Sequence, residues 1–108
     1  MNLLRSALFF ALAAVSCLPA FAESAKQRGA ALFVNNGCQH CHTIRNVGGD
    51  KGPDLSGVGR VLNKTQIRTQ IVQGGREMPS FANILKTAEV DDLVAYLHSC
   101  RDKKPKYP

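Results

Sequence analysis

Five consecutive residues, Cys38-Gln39-His40-Cys41-His42, carry the most specific chemistry in this 108-residue chain. Two thiols lie one helical turn apart and an imidazole follows directly. That spacing lets both sulfurs add to the two vinyl groups of a haem while the histidine lies under the iron as proximal ligand. Cys38 and Cys41 are then the tethers and His42 the ligand. A thioredoxin-like redox pair shares the Cys spacing, but it needs a strand before the motif and a βαβ context around it, which this sequence lacks. Half of a zinc site would need a second Cys/His pair at ligand spacing, and His98 and Cys100, with one residue between them, do not provide it.

The surrounding chain must supply a shell for that motif. Residues 1–22 read as a secretory signal: Arg5 gives a short basic n-region, Leu8 to Val15 an apolar run, and Ala20-Phe21-Ala22 a small-x-small cleavage site. The run is too short for the ~30 Å hydrocarbon core and charges follow at once, so stable membrane insertion is not expected. Lipidation at Cys17 is the competing reading of this segment. Cleavage after Ala22 leaves residues 23–108 with three Cys, three His and one Met, and lowers the formal charge from +6 to +5 through loss of Arg5. Three Cys cannot form a full disulfide set. A chain this small buries only ~60–65% of its unfolded surface, so a bound cofactor is the natural supplement to its core.

Length and composition bound the rest. There is one domain at most, with no room for a dinucleotide-binding domain beside a substrate domain. Charge alone would fit a nucleic-acid binder as well as several other classes, and no nucleic-acid partner is expected. The expected organisation is a signal at 1–22, a folded domain at 23–100 and a basic, mobile tail at 101–108. Cys100 is the leftover thiol, either free, bridged to another chain, or simply a small buried apolar residue.

Helix signals are clear at both ends of the domain. Ser24 is a plausible N-cap for a helix to Asn35, stopped by Asn36-Gly37, and Thr87 caps a helix to His98 with Glu89, Asp91 and Asp92 in its first turns. Val90, Leu93, Val94 and Leu97 form one apolar stripe. Its partner is either the first helix, through the flat spot at Gly29, or the haem. A further helix spans Asn63 to Gln73, closed by Gly74-Gly75. Gly48 to Pro53 reads as loop, and no segment has strand periodicity.

The chain resembles the class I monohaem c-type cytochromes of the small bacterial type from Gly29 to Leu97. Cys38-x-x-Cys41-His42, Gly52-Pro53-Asp54-Leu55, Met78-Pro79-Ser80-Phe81 and the closing Leu93-Val94-Ala95-Tyr96-Leu97 helix occur in that family's order. The resemblance implies an all-α cytochrome c fold, a small helical shell around one covalently attached haem c. It also implies that the Pro53 carbonyl accepts from His42, that Leu55 and Phe81 pack on the haem, and that Arg60 reaches a propionate. The family uses a methionine at the Met78 motif as sixth ligand. Met78 is the one Met of residues 23–108, sits in a loop after a helix stop and is restricted by Pro79. His40, inside the attachment loop, and His98, on the last helix, are the competitors.

The expected function is a monomeric, periplasmic electron carrier and not an enzyme. Met78 as a soft thioether ligand raises the reduction potential and holds the iron six-coordinate. The basic surface suits redox partners with acidic docking faces. The alternatives are a haem enzyme or gas sensor with an open distal site, and a dedicated cytochrome subunit of a larger oxidoreductase.

Overall fold

The computed structural model describes residues 13–14, 16–17 and 22–103. The expected leader falls almost wholly outside them. Among the described residues four helices occur in the order α1 (Ala25–Asn35), α2 (Val58–Val61), α3 (Lys64–Gln73) and α4 (Thr87–Ser99). A 3-10 turn at Cys38–His40 and a two-stranded hairpin, β1 (Thr43–Ile44) with β2 (Val47–Gly48), follow α1. The described residues are mostly helical, as the sequence predicts.

Local side chains start the helices. At α1 a capping box closes: Ser24 Oγ accepts from the Gln27 amide at 3.2 Å and Gln27 Oε1 accepts from the Ser24 amide at 2.8 Å. Asn63 and Gln66 repeat the arrangement at α3, at 2.8 and 2.9 Å. The start of α4 differs from the expectation. Lys86 is the N-cap and Thr87 the first helical residue, because the Glu89 carboxylate accepts the Lys86 amide at 2.9 Å and fixes the turn one residue earlier.

The apolar stripe of α4 finds its partner in α1. Val90, Leu93, Val94 and Leu97 are all buried, and Phe33 of α1 packs its ring 5.9 Å from that of Tyr96. The two helices cross at Gly29, where a β-carbon would lie 2.1 Å from the Asp92 carbonyl oxygen. Beside the crossing, Arg28 bonds both carboxylate oxygens of Asp92, at 2.8 and 3.1 Å, and the Glu23 carbonyl at 2.6 Å. Arg68 pairs with Asp91, so α3 also meets α4 through charge.

Two elements depart from the sequence reading. No segment has strand periodicity, yet a short hairpin follows His42, pairing Thr43 with Gly48, the first residue of the expected loop, and Ile44 with Val47. The tail is anchored at its start: Asp102 donates its amide to the Ser56 carbonyl at 3.0 Å, Arg101 reaches the Gly59 carbonyl, and Arg45 pairs with Asp102 at 3.1 Å. These bonds remove Arg101 and Asp102 from the expected mobile segment, and residues 104–108 lie outside the described ones. No helix among the described residues is long and apolar enough to cross a membrane.

Candidate functional site

The 38–42 motif is wound as one tight turn. Cys38 offers its carbonyl to the amides of Cys41 and His42 at 3.2 and 3.0 Å, so the two thiols and the imidazole leave one short arc of backbone. The hairpin and the following loop then clasp that arc. Gly49 and Gly52 donate to the carbonyls of Gln39 and Cys41 at 2.8 and 2.7 Å, and Thr43 Oγ1 donates to the Gly49 carbonyl at 2.7 Å.

His42 Nδ1 donates to the Pro53 carbonyl oxygen at 2.7 Å. A carbonyl only accepts, so the proton of the neutral ring resides on Nδ1 and Nε2 keeps its lone pair. Proline's locked φ aims that carbonyl. The arrangement is the usual one for a metal-binding histidine, whose second nitrogen is held by a fixed acceptor.

His42, Cys38 and Met78 line a common cavity against the core. Its remaining walls are Phe33 of α1, Ile71 of α3, Leu93 and Leu97 of α4, and Leu55 and Phe81 from the two long connections. All six are buried. Close-packed domains seldom leave buried apolar side chains facing an unfilled space, because each unfilled wall forfeits dispersion contacts. The donor set narrows what fills it. One imidazole nitrogen and one thioether sulfur cannot complete the shell of a bare ion, but they suit an iron that brings four equatorial nitrogens of its own. Of the two thiols of the motif, Cys38 lines the cavity and Cys41, three residues on in the same turn, is exposed and not among its walls. The residues present therefore fit a haem.

The electrostatics oppose a dithiol redox centre. Burial pushes the Cys38 thiol above the usual cysteine range, whereas a reactive cysteine of that class needs a lowered value. Cys41 is exposed.

Other residues singled out from the sequence lie elsewhere. Arg60 is exposed on α2 and is not among the cavity walls. His40 is exposed beside Gly37, and His98 sits where α4 meets α2, its carbonyl under Gly59. Cys100 is buried at the C-cap of α4, its Sγ 3.5 Å from the Tyr96 carbonyl, and burial raises its thiol. Sequence reasoning missed Gln70, whose amide lies 3.6 Å from Met78 Sδ. The eight-residue separation gives no local signal, since the contact depends on how the chain reverses between Gly74 and Met78.

Comparisons with known proteins agree with this geometry. Residues 24–97 match the family described as cytochrome c oxidase, cbb3-type, subunit III. Over 94 residues the chain is 35% identical to the dihydro-haem d1 dehydrogenase of Pseudomonas aeruginosa, covering 83% of this chain but only 18% of that protein. The chain thus spans less than a fifth of that relative. The crystal structure of the c-type cytochrome SorU from Sinorhizobium meliloti superposes with a TM-score of 0.63 at 22% identity, over 74% of this chain and 94% of that one. That likeness establishes the fold. With a family match over most of its length, a cytochrome c architecture and a cavity suited to haem, the chain belongs to the cbb3-type subunit III family and is a small c-type cytochrome, a haem protein of electron transport.

Proposed function

We propose that this protein is an exported carrier that passes single electrons through one haem c, tethered by Cys38 and Cys41 and held axially by His42 and Met78. The observation that carries the reading is that an imidazole and a thioether, separated by 36 positions in the chain, line one apolar cavity. When bound, the haem supplies an Fe(II)/Fe(III) couple. Pro53 holds the His42 ring in one tautomer and one plane, so Nε2 presents the same lone pair in both oxidation states. Leu55 and Phe81 keep water from the cavity, which limits reorganisation when charge changes. Met78 closes the sixth position, so the protein has no need to bind a substrate at iron.

Residues 1–22 direct the chain to the periplasm, and the basic balance of residues 23–108 suits an acidic docking face on the partner. Association rates that fall as salt rises support that docking, and rates indifferent to salt reject it. N-terminal sequencing of the protein recovered from a periplasmic fraction should begin at Glu23; retention of Met1 rejects cleavage after Ala22, and recovery from the cytoplasmic fraction alone rejects export.

The decisive experiment compares the reduced protein with Met78→Ala under carbon monoxide. The parent spectrum should stay unchanged, and the variant should form an adduct and show a marked fall in potential. Rapid adduct formation by the parent would instead support an open distal site, hence a haem enzyme or gas sensor. A second reading, a dedicated subunit of a larger oxidoreductase, is favoured by one observation: the 35% identical region is 18% of a far longer dehydrogenase. Gel filtration of native extract separates the two, with a free carrier eluting as the monomer.

A further inference from the structure

Met78 is held from two sides. Its backbone exchanges two hydrogen bonds with Gly75, each 3.0 Å, and Ser80 Oγ and the Phe81 amide tie the following residues to the Val72 and Ile71 carbonyls of α3 at 2.6 and 3.1 Å. The side chain has an anchor of its own. Gln70 Nε2 donates to Met78 Sδ at 3.6 Å and to the Gly74 carbonyl at 3.3 Å. An amide nitrogen carries two hydrogens, so one can serve the helix end while the other serves the sulfur. A thioether sulfur has two lone pairs, and this contact engages one and leaves the other for a metal.

We propose that Gln70 is a positioning residue that sets the donor strength of Met78: its N–H on Sδ weakens sulfur donation, which costs the ferric state more than the ferrous state and raises the reduction potential. The inference rests on the reading of Met78 as sixth ligand. Its physical ground is that groups bonded to a ligand atom tune the metal through that atom. Gln70 is exposed and is not among the cavity walls, so its replacement leaves the core packing in place. Gln73, also exposed and on the same helix, supplies a matched control.

The test uses the haem-loaded protein, Gln70→Leu and Gln73→Leu, each followed by redox titration and by the far-red sulfur-to-ferric-iron absorption. All three should retain that absorption. Gln70→Leu should shift the equilibrium with a fixed donor about three- to tenfold toward the oxidised form, roughly 30–60 mV at ~59 mV per tenfold for one electron. Gln73→Leu should match the parent. A Gln70→Leu potential equal to the parent's or above it, with the absorption present, overturns the role of Gln70 and leaves Met78 as ligand. Absence of the absorption from the parent overturns the Met78 reading, and this proposal with it.

Discussion

Gly52 lies flat against the imidazole of His42, so close that a β-carbon there would sit 2.7 Å from Cε1, 2.9 Å from Nδ1 and 3.2 Å from Nε2. The ring is thus bounded on one side by the missing side chain of Gly52 and held in plane by Pro53, the next residue. Two adjacent positions divide the work: one leaves space, and the other supplies the acceptor. The loop reaches the ring because the Gly52 amide is bonded to the Cys41 carbonyl within the motif itself.

Gly52→Ala should therefore act on the His42 ring and not only on the loop. The added methyl must either rotate the ring away from Pro53 or lift the loop off Cys41, and overpacking of this kind costs about 1–3 kcal/mol. Guanidinium unfolding of the haem-loaded protein, followed by its visible absorption, should show a lowered midpoint. A midpoint equal to the parent's would show that the ring has room to spare.

Gly29→Ala pits two effects of opposite sign. Alanine favours an isolated helix over glycine by about 1 kcal/mol. At this position, however, the new β-carbon would meet the backbone oxygen of Asp92 at 2.1 Å and Tyr96 Cβ at 2.6 Å, and a backbone atom of a packed helix yields only if the helix moves. Overlap wins, with an expected net loss of about 2–3 kcal/mol. Urea titration of both forms measures it, and a stabilised variant would contradict the crossing geometry.

The same crossing carries a pH dependence. The Arg28 guanidinium, through its hydrogen bonds and its charge, holds the Asp92 carboxyl below its ordinary value of 3.8. A carboxyl lowered in the folded state contributes stability that is complete above the ordinary value and is lost as pH falls through the folded one. Asp92→Asn should narrow its difference from the parent as pH is taken below about 4 and show it in full at pH 7. Thermal midpoints across pH 2–7 test this, and a gap independent of pH rejects it. The pair is partly exposed, so high salt should shrink the effect.

How much of this was legible in the sequence depends on the range of the interaction. The capping residues Ser24 and Asn63 act over three positions, and α1 and α3 start where those residues place them. The stripe of α4 is periodic, so its burial could be read from spacing. Four-residue α2 has no period to read, and its Gly57-Val58-Gly59 resembles a loop. It is helical because Gly59 fits beneath the His98 carbonyl and bonds that of Cys100 at 2.9 Å, contacts that exist only once α4 is in place. The hairpin turns through Arg45 and Asn46 at positive φ, 49° and 66°. Asparagine tolerates that region, but arginine gives no such signal. Among site residues, the 38–42 motif is local and specific, whereas convergence of His42 and Met78 on one cavity is a tertiary fact, anticipated by family resemblance and by Met78 being the one Met of residues 23–108, set in a loop before Pro79.

The anchored start of the tail allows a comparison between backbone and charge. Ser56, 2% exposed, accepts the Arg45 amide through Oγ at 2.8 Å and the Asp102 amide through its carbonyl at 3.0 Å. Ser56→Ala removes the first acceptor and leaves the Arg45 N–H, at the hairpin's positive-φ turn, without its partner. Loss of a part-buried hydrogen bond of this kind costs about 0.5–1.5 kcal/mol. Asp102→Ala removes the ion pair with Arg45 but keeps the backbone bond to Ser56. The two side chains of that pair are 71% and 37% exposed, and exposed pairs contribute about 0–1 kcal/mol. Ser56→Ala should therefore destabilise the protein more than Asp102→Ala in urea at low salt, and the ordering should persist at high salt. The reverse ordering would mean that charge, and not the backbone, holds the end of the domain to the loop that follows His42.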